Sequence, residues 1–211
     1  PSVVSSARSL TERCGRPRRV WSQGAAIRPI PTHAVIDAHT LGEIEARLAS
    51  DDEDATLDLA FDRFERTQPH LAERVSVVLA RPLDETALAL GYFLSISLWL
   101  AFERRFGVRL RTALTEEVEA VEAALRLEEE LRAERAHDPA SVEDVVAKEQ
   151  PAAVAFIHEH VDAALDVQTG EPPDVEDVDL VYRTALVVLL TLSHAVSGEP
   201  GATADTREIL A

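Results

Sequence analysis

The chain has 211 residues, 46% of them apolar and 28% charged, with a formal net charge of −17 and one cysteine, Cys14. That length suits one domain with a sizeable core. A lone cysteine excludes an intrachain disulfide and points to a reducing, cytoplasmic setting, and so strong an acidic balance argues against a nucleic-acid partner. Aromatic residues make up only 5%, and the apolar fraction is carried by Ala, Val and Leu, a composition of helical bundles rather than of β-sheets.

The charge is unevenly spread. Residues 1–35 carry Arg8, Arg13, Arg16, Arg18, Arg19 and Arg28 against Glu12, a charge of +5, while the remainder carries −22. The N-terminal stretch has no helical periodicity and no continuous apolar run of the kind a secretory signal needs. It reads as a disordered basic extension over residues 1–38, with a nucleic-acid or membrane arm and a transit peptide as the other readings. Twenty Arg against one Lys, and no Met, fit a GC-rich bacterial genome.

Regular structure is expected from about residue 40, where Thr40 and Glu43 have the spacing of a capping box, and the first helix runs to about Leu48. Asp51, Asp52, Glu53 and Asp54 are expected in the first turn of the next helix, where the macrodipole favours acids, and it runs to about Glu65. Pro69 opens a helix over about 69–80, because its missing N–H has no partner in a first turn anyway. Arg81-Pro82 breaks it, and Asp84 caps a long helix to Phe106, with Arg104 and Arg105 in the last turn and Gly107 as the left-handed stop. The stretch 115–137 is amphipathic, with Val118, Val121, Leu125 and Leu131 as one stripe, Ala124 and Leu127 beside it, and Glu122/Arg126 and Glu128/Arg132 as i,i+4 pairs. Short helices follow near 142–149 and over 151–166. Residues 168–177 carry turn chemistry, and a last helix covers about 178–196 before Gly198 and Pro200. Residues 199–211 are expected to fray.

Two features organise these elements. Gln68-Pro69 recurs as Gln150-Pro151, 82 residues on, and the two long helices align Leu90-Gly91-Tyr92 with Leu180-Val181-Tyr182 and Gly107 with Gly198. The pattern is that of an internal pseudo-twofold repeat; two copies at this period do not make an open solenoid. Seventeen residues from Thr86 to Phe102 contain no charge, and thirteen from Thr184 to Val196 contain only His194. Helices apolar all round lie in a core or in lipid. The first is at the lower edge of membrane-spanning length, the second is short, and acidic loops give no positive-inside bracket. A buried central pair is the main reading and a membrane-associated hairpin the alternative. Ala87, Gly91 and Ser95 form a small-residue strip suited to close helix contact.

Chemical signatures are few. There is no glycine-rich phosphate loop, no Gly-x-Ser-x-Gly and no His-Glu-x-x-His, and no cofactor is implied. His158 and His160 are about 200° apart on a helix and cannot share a metal; His158 and Asp162, four apart, could, and with His194 they are the candidates for a metal- or haem-binding bundle. Glu134-x-x-His137 stands alone, where di-iron bundles need two such pairs. Glu116-Glu117 and Glu128-Glu129-Glu130 read as a solvated face. Gln68 and Gln150 are the most unusual polar pair: either two amides facing one ligand or partner, or residues that bond neighbouring helix ends.

Phe64-Glu-Arg-Thr-Gln-Pro69, Trp99-Leu-Ala-Phe-Glu-Arg-Arg-Phe-Gly107 and Lys148-Glu-Gln-Pro-Ala152 resemble an uncharacterised group of all-helical bacterial proteins over residues 40–198. The resemblance implies no activity, cofactor or site. The expectation is an all-α domain of seven or eight helices over 39–198. Its expected role is that of a non-enzymatic interaction or regulatory protein whose acidic surface meets a basic protein partner, as an immunity- or antitoxin-like inhibitor would, or which self-associates.

Overall fold

The computed structural model describes residues 28–50, 56–134, 142–166 and 173–198. Eight α-helices are present among them: α1 (Ala38–Leu48), α2 (Leu57–Thr67), α3 (Pro69–Leu79), α4 (Glu85–Phe106), α5 (Thr115–Glu134), α6 (Val142–Glu149), α7 (Pro151–Leu165) and α8 (Val175–Ala195). The described residues form no strand beyond one isolated antiparallel bridge, Leu110 to Val196. The chain is all-α.

α4 and α8 are the centre, and both are buried on nearly every face. Leu94, Ile96, Leu98, Trp99 and Phe102 of α4 are fully enclosed, as are Val188, Leu189, Leu190 and Leu192 of α8. The other helices form the jacket: α1, α2, α3 and α7 lie on α4, while α3, α5 and α7 lie on α8. Phe64 of α2 packs on Trp99, with ring centroids 5.5 Å apart, and Arg63 covers the outer face of the same indole while pairing with Glu103. Each of these large side chains contributes roughly 1.5–3 kcal/mol on burial.

The two central helices run in the same direction. At their starts the Asp84 amide donates to Asp177 Oδ2 (2.9 Å) and the Asp174 amide to Asp84 Oδ2 (3.0 Å). Midway, Gly91 faces Val181. Past their ends the Ser197 amide donates to the Arg109 carbonyl and the Arg111 amide to the Ala195 carbonyl. Parallel helices bring like dipole ends together, each equivalent to about half a charge. The sequence answers at both ends. Asp84, Glu85, Asp174, Glu176 and Asp177 surround the two N-termini, and Arg104, Arg105 and His194 occupy the two last turns. A membrane hairpin needs neighbouring antiparallel spans. Both helices are long and apolar enough to cross a membrane, but they are parallel and have α5, α6 and α7 between them in sequence.

Several boundaries differ from expectation. α1 starts two residues early because Asp37, not Thr40, is its cap: Asp37 Oδ1 accepts from the Thr40 amide and hydroxyl. These bonds, with Arg105 nearby, hold the Asp37 carboxyl below its ordinary range. The basic extension was expected to reach residue 38, yet Ile30, Ala34 and Ile36 belong to the core. α2 is capped by Thr56; Asp51–Asp54 lie outside the described residues, as do Cys14, His137, residues 168–172 of the 168–177 loop and residues 199–211. α8 begins at Val175, earlier than its apolar run, because Asp174 caps it. Asp84 and Gly107 end α4 as expected, with Gly107 at φ 51°. The equivalence of Gly107 with Gly198 fails, because α8 stops at Ala195 and Val196 is already extended for its bridge. Glu122, expected to pair with Arg126, instead reaches Arg74 of α3. Val118, Val121 and Ala124 of α5 are buried, Leu125 and Leu127 are half-buried, and the Leu131 side chain is outside the described set.

The Ala87–Gly91–Ser95 strip is buried, and a Cβ added at Gly91 would lie 2.8 Å from Leu79 Cδ2 and 3.1 Å from Val181 Cγ2. Leu79 can rotate away, while the branched Val181 cannot. Gly91→Ala is therefore expected to stay within about 1 kcal/mol of the parent, the helix-propensity gain offsetting the crowding. Gly91→Val is expected to lose about 2–3 kcal/mol. Urea unfolding midpoints check both; a neutral Gly91→Val would refute the close contact.

Candidate functional site

Gln68 and Gln150 are each bonded to chain segments elsewhere in the fold. Each sits between two helices with φ −133° and ψ 58°, bonding backward and forward through its own backbone as one helix ends and the next begins. Each side chain grips an extended segment from elsewhere in the chain. Gln68 Oε1 accepts from the Ala113 amide (2.8 Å) and its Nε2 donates to the Arg111 carbonyl (2.9 Å). Gln150 Oε1 accepts from the Ile36 amide (3.0 Å), and its Nε2 donates to the Ala34 carbonyl (2.7 Å) and to Ser193 Oγ (2.9 Å). Both amides read the carbonyl of one residue and the N–H two residues on, the pairing that a neighbouring strand would otherwise supply. The residues are 2% and 0% exposed, so both are buried.

The segments they hold lead into α1 and α5. Arg111 adds side-chain bonds there, with both guanidinium nitrogens on Glu117 and one on the His194 carbonyl. Its guanidinium holds the Glu117 carboxyl below the usual carboxylate range. α5 is thus anchored firmly at its start.

The histidines disperse. His158 stacks on Tyr182 of α8, with its Nε2 3.2 Å from the phenol. His160 points the other way, against Phe93 and Phe156, with Nδ1 2.9 Å from the Phe156 carbonyl and Nε2 3.3 Å from Glu45. His194 lies at the far end of α8, its Nε2 3.0 Å from the Arg28 carbonyl. Among the described residues no three His, Cys, Asp or Glu side chains come together in a metal-binding arrangement, so His158, Asp162 and His194 share no centre. Tyr92 stacks on Phe61 and lies 3.3 Å from Asp58, both on α2; burial, then the Asp58 charge, pushes its phenol up to about 12. It remains a protonated donor rather than a base at neutral pH.

Among the described residues a groove of about 490 Å³ lies between α3, α5 and α8, which sequence reasoning did not reveal. Leu71, Val75 and Val78 of α3, Leu125 of α5, and Leu186 and Val187 of α8 form its apolar lining. It continues past Asp179 and Arg183 into a shallower hollow of about 450 Å³ that reaches Arg81, Glu176 and Asp177 at the start of α8. Two ion pairs tie α5 across it: Arg74 of α3 to Glu122, and Arg183 of α8 to Glu129 (2.5 Å), with Asp179 on the same guanidinium (2.6 Å). The groove exists because the buried stripe of α5 ends near Ala124 while the helix continues to Glu134. Beyond that point Leu125 and Leu127 are only half-buried, and Leu125 lines the groove. Carboxylates outnumber arginines along the two hollows six to four.

Comparison of the chain with protein-family models, with curated proteins and with solved structures finds no match.

Truncating either glutamine leaves buried backbone groups unpaired, at roughly 1–3 kcal/mol each. Gln68→Ala and Gln150→Ala are each expected to destabilise by about 2–4 kcal/mol, with Gln150 the costlier because it also holds Ser193. Denaturant titration reads the loss; a change below about 0.5 kcal/mol would contradict the clamp.

Proposed function

We propose that this protein is a non-enzymatic interaction or regulatory protein whose acidic surface engages a basic protein partner, in the manner of an inhibitor that covers a cationic surface. The observation that carries this reading is the charge placement. Outside residues 1–35 the chain carries −22, and six carboxylates against four arginines line an open groove with an apolar floor and the hollow that continues it. Like-signed charge beside a low-dielectric wall focuses the field and steers an oppositely charged partner. Apolar floor area then supplies the part of affinity that salt does not screen.

The internal repeat belongs with this proposal. The matched backbone angles and matched backbone-gripping amides of Gln68 and Gln150 support it. The unequal helix ends at Gly107 and Val196, and the unequal partners of Tyr92 and Tyr182, count against carrying it into every residue. A duplicated scaffold serves the function only by building the helical wall; the groove itself occurs on one side, where α5 stands off.

Immobilised full-length protein, presented with a cell extract, is expected to retain partners of high isoelectric point at about 0.1 M salt. Most of that retention is expected to be lost near 1 M, where the screening length falls from about 10 Å to about 3 Å. Retention of predominantly acidic or neutral proteins, or capture unchanged at high salt, would refute the electrostatic reading.

A further inference from the structure

We infer that the groove between α3, α5 and α8 is the docking site for a basic amphipathic helix of a partner protein, and that its cationic side chains take Glu122 and Glu129 from Arg74 and Arg183. This rests on the reading above that the partner is basic.

Length, lining and charge each select this occupant. Along α8 the two hollows extend from Glu176 to Val187, about 17 Å at the helical rise, or about three turns of a bound helix. A helix lying in such a trough presents apolar residues at i, i+3, i+4 and i+7 to the floor and leaves its flanks at the two rims. The floor is aliphatic, from Leu71 and Val75 on one side to Leu186 and Val187 on the other. The rims carry the carboxylates of Glu122 and Glu129 on α5 and of Asp179 and Glu176 on α8, and cationic flanks would meet acids on both sides. A second copy of this chain is disfavoured as occupant, because two bodies of this charge repel.

The mechanism follows from how α5 is held. Its start is fixed by Gln68 and Arg111, while Glu122 and Glu129 further along tie it to α3 and α8 by ion pairs of half-buried to exposed side chains. Exposed pairs contribute little to stability, so a partner that replaces Arg74 on Glu122 and Arg183 on Glu129 loses little in breaking them. The floor below Leu125 then opens to apolar side chains. The internal arginines act as competitors that keep the groove narrow until a better cation arrives.

The test uses full-length protein and a fluorescein-labelled synthetic peptide of about three to four helical turns, with Leu at the i, i+3, i+4 and i+7 positions and Arg on its flanks. A control has the same Leu positions and Glu flanks. The Arg peptide is expected to bind, with amide shifts at Leu71, Val75 and Leu186 locating it, and the Glu peptide is not. Glu122→Gln and Glu129→Gln are each expected to weaken binding about two- to fivefold. Arg74→Ala and Arg183→Ala are expected to strengthen it by a similar factor. Circular dichroism confirms that all four variants fold. Binding indifferent to the four substitutions, weakened by both arginine replacements, or equal for the two peptides would overturn the proposal. So would a dimer that the peptide dissociates, because the occupant would then be a second copy. Salt-sensitive capture of a basic protein that is unaffected by these substitutions would leave the proposed function standing and remove this site.

Discussion

The constraint behind this structure is that two helices apolar on nearly every face must be covered on nearly every side. A helix with one apolar stripe needs one neighbour; α4 and α8 need each other and a jacket. Because they lie parallel, their dipoles do not cancel, and the acids at the shared N-terminal end and the bases at the shared C-terminal end follow from that. The jacket must pass chain from one end of the pair to the other repeatedly. Where those passages are extended and buried, their backbone groups need partners, and Gln68 and Gln150 supply them.

The groove is the place where covering is incomplete. α5 satisfies α8 through Val118, Val121 and Ala124 and then continues as a helix with a charged face. Past Ala124, Leu125 packs only partly against the core, and Glu129 pairs with Arg183. The clamped, buried first turns belong to the core, and the proposed docking site makes the later turns a wall that moves without unfolding the centre.

Much of the fold was legible in the residues. The uncharged runs at 86–102 and 184–196 identified the central pair, and Asp84, Gly107, Pro69 and Pro151 set helix ends by mechanisms that need only local chemistry. Burial of Ile30, Ala34 and Ile36 was not legible, because the groups that hold them, Glu149 and Gln150, lie far along the chain, and no local period announces them. Thr40 was mistaken for a cap because Asp37, three residues earlier, offers a better acceptor to the same turn. The glutamines were recognised as unusual, but what they hold could not be read, since Arg111 to Ala113 and Ala34 to Ile36 carry no motif. The groove was invisible for a related reason: it arises from the end of a buried stripe on α5 seen against two other helices, and single-helix periodicity marks Leu125 and Leu127 as ordinary core.

Native-state hydrogen exchange tests the division between a fixed centre and a movable wall most directly. Amides in the middle of α4 and α8, such as those of Leu98 and Leu190, and the clamped amides of Ile36 and Ala113, are expected to exchange only through global unfolding. Amides of α5 from about Arg126 onward are expected to exchange orders of magnitude faster, through local opening that leaves the centre intact. Equal protection along the whole of α5 and α4, or local exchange within α8, would contradict it.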